Sequence, residues 1–247
     1  QGEPQRGRAS PNLAVAVAIC NGTDWRHQGG AEQIGRAHAV QRTLSRVSNL
    51  STILITAGFD QSSPDFLRLK SRFARHVDVA MSDLRLRRRG YGDDLFPLNG
   101  GLQRRRDGNC TTLKYHAWRL TEYDGIAVMD SDLCILEDPY PSLAEFVRKT
   151  DAGIITSPFL ADFEMWPRIF PGVNSRMHYI RPSAVLFSIL RDKAMTGEFI
   201  GFTQTEQDVY DTVFAPSRGW FANASDTHSG IVMPRHLHRR PCGWGKR

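Results

Sequence analysis

The sequence predicts one α/β domain with a central, mostly parallel sheet flanked by helices. Apolar runs of strand length alternate with stretches of helical spacing through the first half of the chain, the signature of parallel strands joined by crossover helices. A length of 247 residues suits one large domain and is short for two. Hydrophobic residues at 40% and charged residues at 23% are ordinary for a globular protein.

Residues 1–11, QGEPQRGRASP, are polar and carry Pro and Gly, so they read as a flexible segment ahead of a domain over residues 12–247. NLAVAVAIC reads as a buried strand stopped by Asn21-Gly22. From Ala31 to Val47, Ile34, Ala37, Val40 and Leu44 recur at helical spacing. STILIT, residues 51–56, is a second buried strand closed by Ala57-Gly58. A helical stretch from Pro64 to Ala74 leads into VDVAM, a third strand. Residues 83–110 are Arg- and Gly-rich without period, and a loop of that length in a compact domain is usually functional or mobile. Thr111 or Thr112 can cap a helix running to about Tyr123, with Leu113, Ala117 and Leu120 on one face. GIAVMD, residues 125–130, is a fourth buried strand, and CILED a further one, followed by Pro141 at a helix start. Strands are expected at 153–157 and 177–181, and helices at 183–195 and 205–214, where Thr205 and Asp208 form a Thr-x-x-Asp capping box.

The net charge of +6 and a pI near 9.4 invite a polyanion-binding reading. No helix-turn-helix, zinc-finger or RNP-like pattern accompanies the basic clusters, which argues against nucleic acid. No apolar run reaches the ~18–20 residues of a membrane span. The chain begins at Gln1 rather than Met, consistent with removal of an upstream signal, anchor or tag. The four cysteines contain no Cys-x-x-Cys pair, and Cys20 and Cys134, at the ends of apolar runs, are expected to be buried free thiols. Asn-x-Ser/Thr triplets start at Asn21, Asn49, Asn109 and Asn223. With seven Asn in the chain, chance gives roughly one. That excess leans toward a secretory-pathway (Golgi) lumen, with the cytoplasm as the alternative.

The strongest local signal is the strand that runs straight into Asp130-Ser131-Asp132. Ligands of open α/β sheets collect beyond the carboxyl ends of the strands. Two carboxylates one residue apart at such an end can converge on one hard cation, and Mg²⁺ and Mn²⁺ take oxygen ligands while sharing themselves with substrate phosphates. A solvated acidic turn is the competing explanation, and context decides between them.

Residues 112–139, TLKYHAWRLTEYDGIAVMDSDLCILEDP, resemble the stretch around the Asp-x-Asp of the glycogenin-like transferases, glycosyltransferase family 8. NSRMHYIRPS, residues 174–183, is similar to that family's Asn-Ser-Gly strand, and TEQDVYDTVF, residues 205–214, to its acidic-Gln helix. HLHRRPCGW, residues 236–244, is similar to its closing His…Trp motif, with the same seven residues between. Four motifs stand in the family's order.

The resemblance implies a GT-A-like fold and a metal-dependent, retaining transfer of a hexosyl group from a UDP-sugar to a hydroxyl of a carbohydrate or protein acceptor. Asp130 and Asp132 would be metal ligands, completed by His236, for Mn²⁺ or Mg²⁺; imidazole suits Mn²⁺ better. Ser131 lies between the two ligands. Lys114 would meet the donor phosphates, Asn174 and Ser175 would line the sugar, Gln207 would sit on its reactive face with Glu206 beside it, and Asn21 would form part of the uridine pocket. His238 and His228 compete with His236, which alone keeps the spacing to Trp244. Four positions depart from the pattern: Arg176 replaces a Gly, Glu206 an Asp, Arg239 a Gly and Cys242 a Lys. The alternative is a non-catalytic sugar-nucleotide or glycan-binding relative of the same fold.

Overall fold

Eight residues, Leu13–Cys20, form β1, and all but Ala18 are buried. A strand that is apolar on both sides has to be covered on both faces of its sheet. The computed structural model shows how, and it describes residues 10–22, 29–87, 108–149, 153–158, 173–199, 205–214 and 238–239. Helix α1 is Gly30–Val47, β2 Ser51–Ala57, α2 Pro64–Lys70 and β3 Arg75–Val79. A short α3, Gly108–Thr111, runs into a 3₁₀ segment, Thr112–Arg119. Then come β4 (Gly125–Asp130), β5 (Cys134–Ile135), α4 (Tyr140–Lys149), β6 (Ile154–Pro158) and β7 (Val173–Ile180). Helices α5 (Ala184–Thr196) and α6 (Glu206–Phe214) and strand β8 (His238–Arg239) complete the described chain.

The main sheet has the order β3-β2-β1-β4-β7-β6. Strands β3, β2, β1 and β4 are mutually parallel, and β7 runs antiparallel to both β4 and β6. Register sets Cys20 against Ala57, Ala57 against Val79, and Ala18 against Asp130. Asn21, Gly58 and Asp130 therefore emerge at one edge of the sheet, where a parallel sheet binds ligands.

Alternation along the strands divides the core in two. Leu13, Val15, Val17, Ile19, Ala127 and Met129 pack with α1, α2 and α4 on one face. Ala14, Ala16, Ile126 and Val128 pack on the other with Trp118 of the 3₁₀ segment, Leu190 of α5 and Tyr210 of α6. Helix α1 buries Ala37, Val40 and Leu44, the stripe its spacing predicts.

Five expectations are corrected. The helix expected from Thr111 to Tyr123 is a 3₁₀ segment ending at Arg119, with Thr112 through Trp118 all buried. Thr112, Tyr115, His116 and Trp118 are modest helix formers, and a segment enclosed on every side has no polar face for the α-helical period to reveal. Strand β3 begins and ends two residues earlier than VDVAM, because Arg75 pairs with Ile53 and Met81 opens a 3₁₀ turn. The CILED strand shrinks to Cys134–Ile135, the length of its partner β8. Helix α2 stops at Lys70, well short of Ala74. The expected free thiols are disulfides: Cys20 is bonded to Cys110, Cys134 is disulfide-bonded too, and no described cysteine is free.

Candidate functional site

The end of β4 uses the strand's alternation to send neighbouring residues to opposite faces. Ser131 follows Ala127 and Met129 toward α1, where its hydroxyl donates to Gln33 Oε1 at 3.0 Å. Asp130 follows Ile126 and Val128 toward the 3₁₀ segment, where its Oδ1 lies 2.5 Å from Lys114 Nζ. Asp132 is half-buried just beyond, and no hydrogen bond reaches its carboxylate among the described residues.

Lys114 is the hub. Its ammonium also donates to Glu206 Oε1 (2.7 Å), to the Ser175 carbonyl (3.1 Å) and to Ser175 Oγ (3.2 Å). Four oxygens thus share three protons, so every donor of the ammonium is engaged. Burial opposes the charge on Lys114, but Asp130 and Glu206 outweigh it and hold the group above the ordinary lysine range. Burial pushes the Asp130 carboxyl up; Lys114 pulls it back, and Asp132 and Glu206 add to the rise. Two carboxylates, Asp130 and Glu206, meet this one ammonium, and Asp132 acts on Asp130 from beside it.

Ser175 binds the cluster together from β7. Its Oγ donates to Glu206 Oε1 at 2.5 Å, and its backbone N–H donates to Gln207 Oε1 at 3.1 Å. His178 Nδ1 lies 3.1 Å from the Ser175 carbonyl, which requires the Nδ1–H form, because a carbonyl only accepts. Burial lowers the His178 pKa to about 3, with Lys114 acting in the same sense. Glu206 and Gln207 occupy the first turn of α6, anchored by the Glu206 N–H donating to Thr111 Oγ1 at 3.1 Å and the Gln207 N–H donating to Thr205 Oγ1 at 3.3 Å. Thr205 thus caps α6 through the Gln207 N–H.

Asn21 stands at the same sheet edge beyond β1. Its Nδ2 donates to the Gly58 carbonyl at 2.9 Å, and Gly58 turns the chain with φ 77°. A Cβ at Gly30 would collide with Asn21 Oδ1, so the glycine lets the start of α1 close on this side chain. Asn21, Gly30, Ala31, Phe59, Asp60 and Ser63 help line a cavity of about 290 Å³. Neither Asp130 nor Asp132 lines it. The Cys20–Cys110 disulfide ties the end of β1 to α3, and so to the segment carrying Lys114.

Of the residues singled out from sequence, Lys114, Asp130, Ser175, Glu206 and Gln207 meet in one hydrogen-bonded cluster. Ser131 and Asp132 adjoin it, and Asn21 lies along the same edge at a separate cavity. Asn174 pairs through its backbone with Ser157. His236, His228 and Cys242 lie outside the described residues. Strand β8 pairs His238 with Ile135 and Arg239 with Cys134, which brings this part of the C-terminal segment beside the strand that follows Asp132. Sequence reasoning missed Gln33, Thr111 and His178. Thr111, a candidate cap for its own helix from sequence, instead holds the start of α6.

Among the described residues no three His, Cys, Asp or Glu gather closely enough to hold a metal ion alone. Asp130 and Asp132 fit such an ion as two hard oxygen ligands, and the excess of carboxylate over ammonium favours a divalent charge. The remaining ligands would come from elsewhere.

The architecture is shared with solved structures. The galactosyltransferase LgtC in complex with donor and acceptor sugar analogues superposes with a TM-score of 0.57 at 13% identity, over 94% of this chain and 88% of that one. An active-site mutant of LgtC gives 0.54 at 14% identity, over 93% and 87%. Mouse xyloside xylosyltransferase 1, apo form, gives 0.50 at 14%, over 85% and 84%. At these identities the likeness establishes the GT-A-like fold. No family model and no curated protein matches the chain.

Proposed function

We propose that this chain is a metal-dependent glycosyltransferase that moves a hexosyl group from a UDP-sugar to a hydroxyl of a carbohydrate or protein, with retention at the anomeric carbon. The observation that supports it most is the pair of strand-end carboxylates: Asp130 tethered to Lys114, and Asp132 beside it with no protein partner among the described residues. They stand at the carboxyl edge of a sheet whose architecture is shared with LgtC, solved with donor and acceptor sugar analogues.

In this reading Asp130 and Asp132 hold Mn²⁺ or Mg²⁺, with His236 completing the protein's share. Bound there, the ion supplies Lewis-acid stabilisation of the departing diphosphate. Lys114 adds fixed positive charge beside the same leaving group, and its bonds to Asp130 and Glu206 keep both carboxylates in place before substrate arrives. Gln207 has its carbonyl oxygen held by the Ser175 N–H, which fixes the amide next to Glu206 where the sugar would sit. The cavity beside Asn21 takes the nucleoside end of the donor. The Cys20–Cys110 disulfide and the four Asn-x-Ser/Thr triplets support residence in the secretory lumen, because disulfides persist in oxidising compartments.

A panel of UDP-sugars assayed for UDP release with Mn²⁺ tests this. One donor should release UDP slowly even without acceptor, chelation should abolish the release, and fresh Mn²⁺ should restore it. Turnover undiminished in excess chelator contradicts the metal; no UDP release from any donor contradicts the transferase.

A further inference from the structure

The three Asn-x-Ser/Thr triplets whose asparagines are described, at Asn21, Asn49 and Asn109, are far from equivalent once placed on the fold. An N-linked glycan is best carried by an asparagine whose side-chain amide, oxygen and nitrogen alike, is free of structural bonds, with a Ser or Thr two residues on and open space for a branched sugar. Asn21 fails on two counts, because its Nδ2 is bonded to the Gly58 carbonyl and its Oδ1 is packed against Gly30. Asn109 is already employed: its Oδ1 accepts the Leu86 N–H at 2.9 Å, and the next residue, Cys110, is held in the disulfide with Cys20. Asn223 lies outside the described residues.

Asn49 differs from both Asn21 and Asn109. It is exposed in the turn Ser48–Leu50 between α1 and β2, and its side chain takes no hydrogen bond among the described residues. Its neighbours are pinned instead: the Ser48 N–H donates to the Leu44 carbonyl, the Leu50 N–H donates to Ser48 Oγ, and Leu50 packs on the core. Ser51, the hydroxyl of the triplet, opens β2. Register sets Ser51 against Ala14 and Leu13 against Gly125, so this turn marks the sheet's amino edge, opposite the edge of Asn21 and Asp130. A seven-residue strand separates the two edges by about 20 Å.

We propose that Asn49 is an N-glycosylation site, carrying an oligosaccharide on the edge of the sheet remote from the candidate active site. The Asn49 amide nitrogen bonds to the anomeric carbon of an oligosaccharide carried on a lipid pyrophosphate. The bond from that carbon to the phosphate oxygen breaks, the lipid pyrophosphate leaves with the bonding electrons, and the amide gives up one proton. The Cys20–Cys110 disulfide fits the oxidising secretory lumen proposed above, where such donors occur. The inference does not depend on what the carboxylate cluster does.

The test is peptide mapping of the chain secreted from eukaryotic cells, after enzymatic deglycosylation in heavy-oxygen water. Asn49 should be recovered as heavy-oxygen-labelled aspartate, and electrophoretic mobility should shift by the mass of a glycan. Asn49→Gln and Ser51→Ala should each abolish label and shift at this position while the secreted protein keeps a cooperative thermal transition. An unmodified asparagine at position 49 in the secreted protein overturns the proposal, as does a glycan found at Asn21 in its place.

Discussion

His178 and His116 show what burial does to a single side chain here. Burial pushes His178 down to about 3, with Lys114 contributing, and burial with Arg119 pushes His116 down to about 4. Both stay neutral in the folded chain while an exposed histidine would protonate near 6.5. Between those limits the unfolded chain binds the extra protons, so stability is fully present above about pH 6.5 and falls as the pH drops toward the folded values. Each histidine costs up to about 1.4 kcal/mol per pH unit, on the order of 2–4 kcal/mol together by pH ~5. Denaturant melts across that range should show the slope, and His178→Phe, which matches the ring's shape and sheds the titration, should flatten it. A wild-type stability independent of pH over the same window contradicts the burial argument. The Asp130–Lys114–Glu206 contacts follow the same logic: each charge is sheltered from water and tolerable because the others are there.

At the scale of elements, the Cys20–Cys110 disulfide couples β1 to α3 across a sequence separation of 90 residues. Closing so long a loop restricts the unfolded chain, so Cys110→Ser should cost about 2–5 kcal/mol and lower the thermal midpoint by roughly 5–20 °C. An unchanged midpoint would mean that the link carries no stability. Gly22 belongs to the same arrangement, since a Cβ there would collide with Cys110 Sγ. The pairing was illegible in the sequence because cysteine spacing carries no information on which strand end meets which helix. Strands β1, β2 and β4 are legible as apolar runs of strand length, stopped for β1 by Asn21-Gly22, and helices α1, α5 and α6 by helical spacing or by a cap such as the Ser183 hydroxyl that accepts the Leu186 N–H. The segment Thr112–Arg119 was not, since it is buried all round and lacks the contrast on which periodicity depends. Strand β7 was seen from residue 177 only; its earlier half, from Val173, is polar in letters yet paired in the sheet, and Ser175 sits there. Motif resemblance named Lys114, Asp130, Ser175, Glu206 and Gln207 individually. That they are bonded to one another is long-range information carried by the sheet order, in which β7 lies beside β4.

Over the whole molecule the sheet acts as a platform with two unlike edges. The carboxyl edge gathers Asn21, Lys114, Asp130, Asp132, Ser175 and Glu206, and the amino edge presents the exposed turn at Asn49. The chain as a whole is basic at +6, yet at the candidate site two carboxylates, Asp130 and Glu206, meet one ammonium and Asp132 stands beside Asp130. A local excess of one sign against the global charge is what the proposed divalent ion would answer. Everything proposed for function runs through Asp132, whose carboxylate has no partner among the described residues and so contributes little to the fold. Asp132→Asn keeps the shape and one acceptor oxygen but removes the charge that a divalent ion requires. The deciding measurement is UDP release by this variant beside the wild type, with saturating Mn²⁺ and the preferred UDP-sugar, together with both thermal midpoints without metal. The account predicts a stability change within about ±0.5 kcal/mol and a rate lower by roughly 100-fold or more; a variant that releases UDP at the wild-type rate would contradict it.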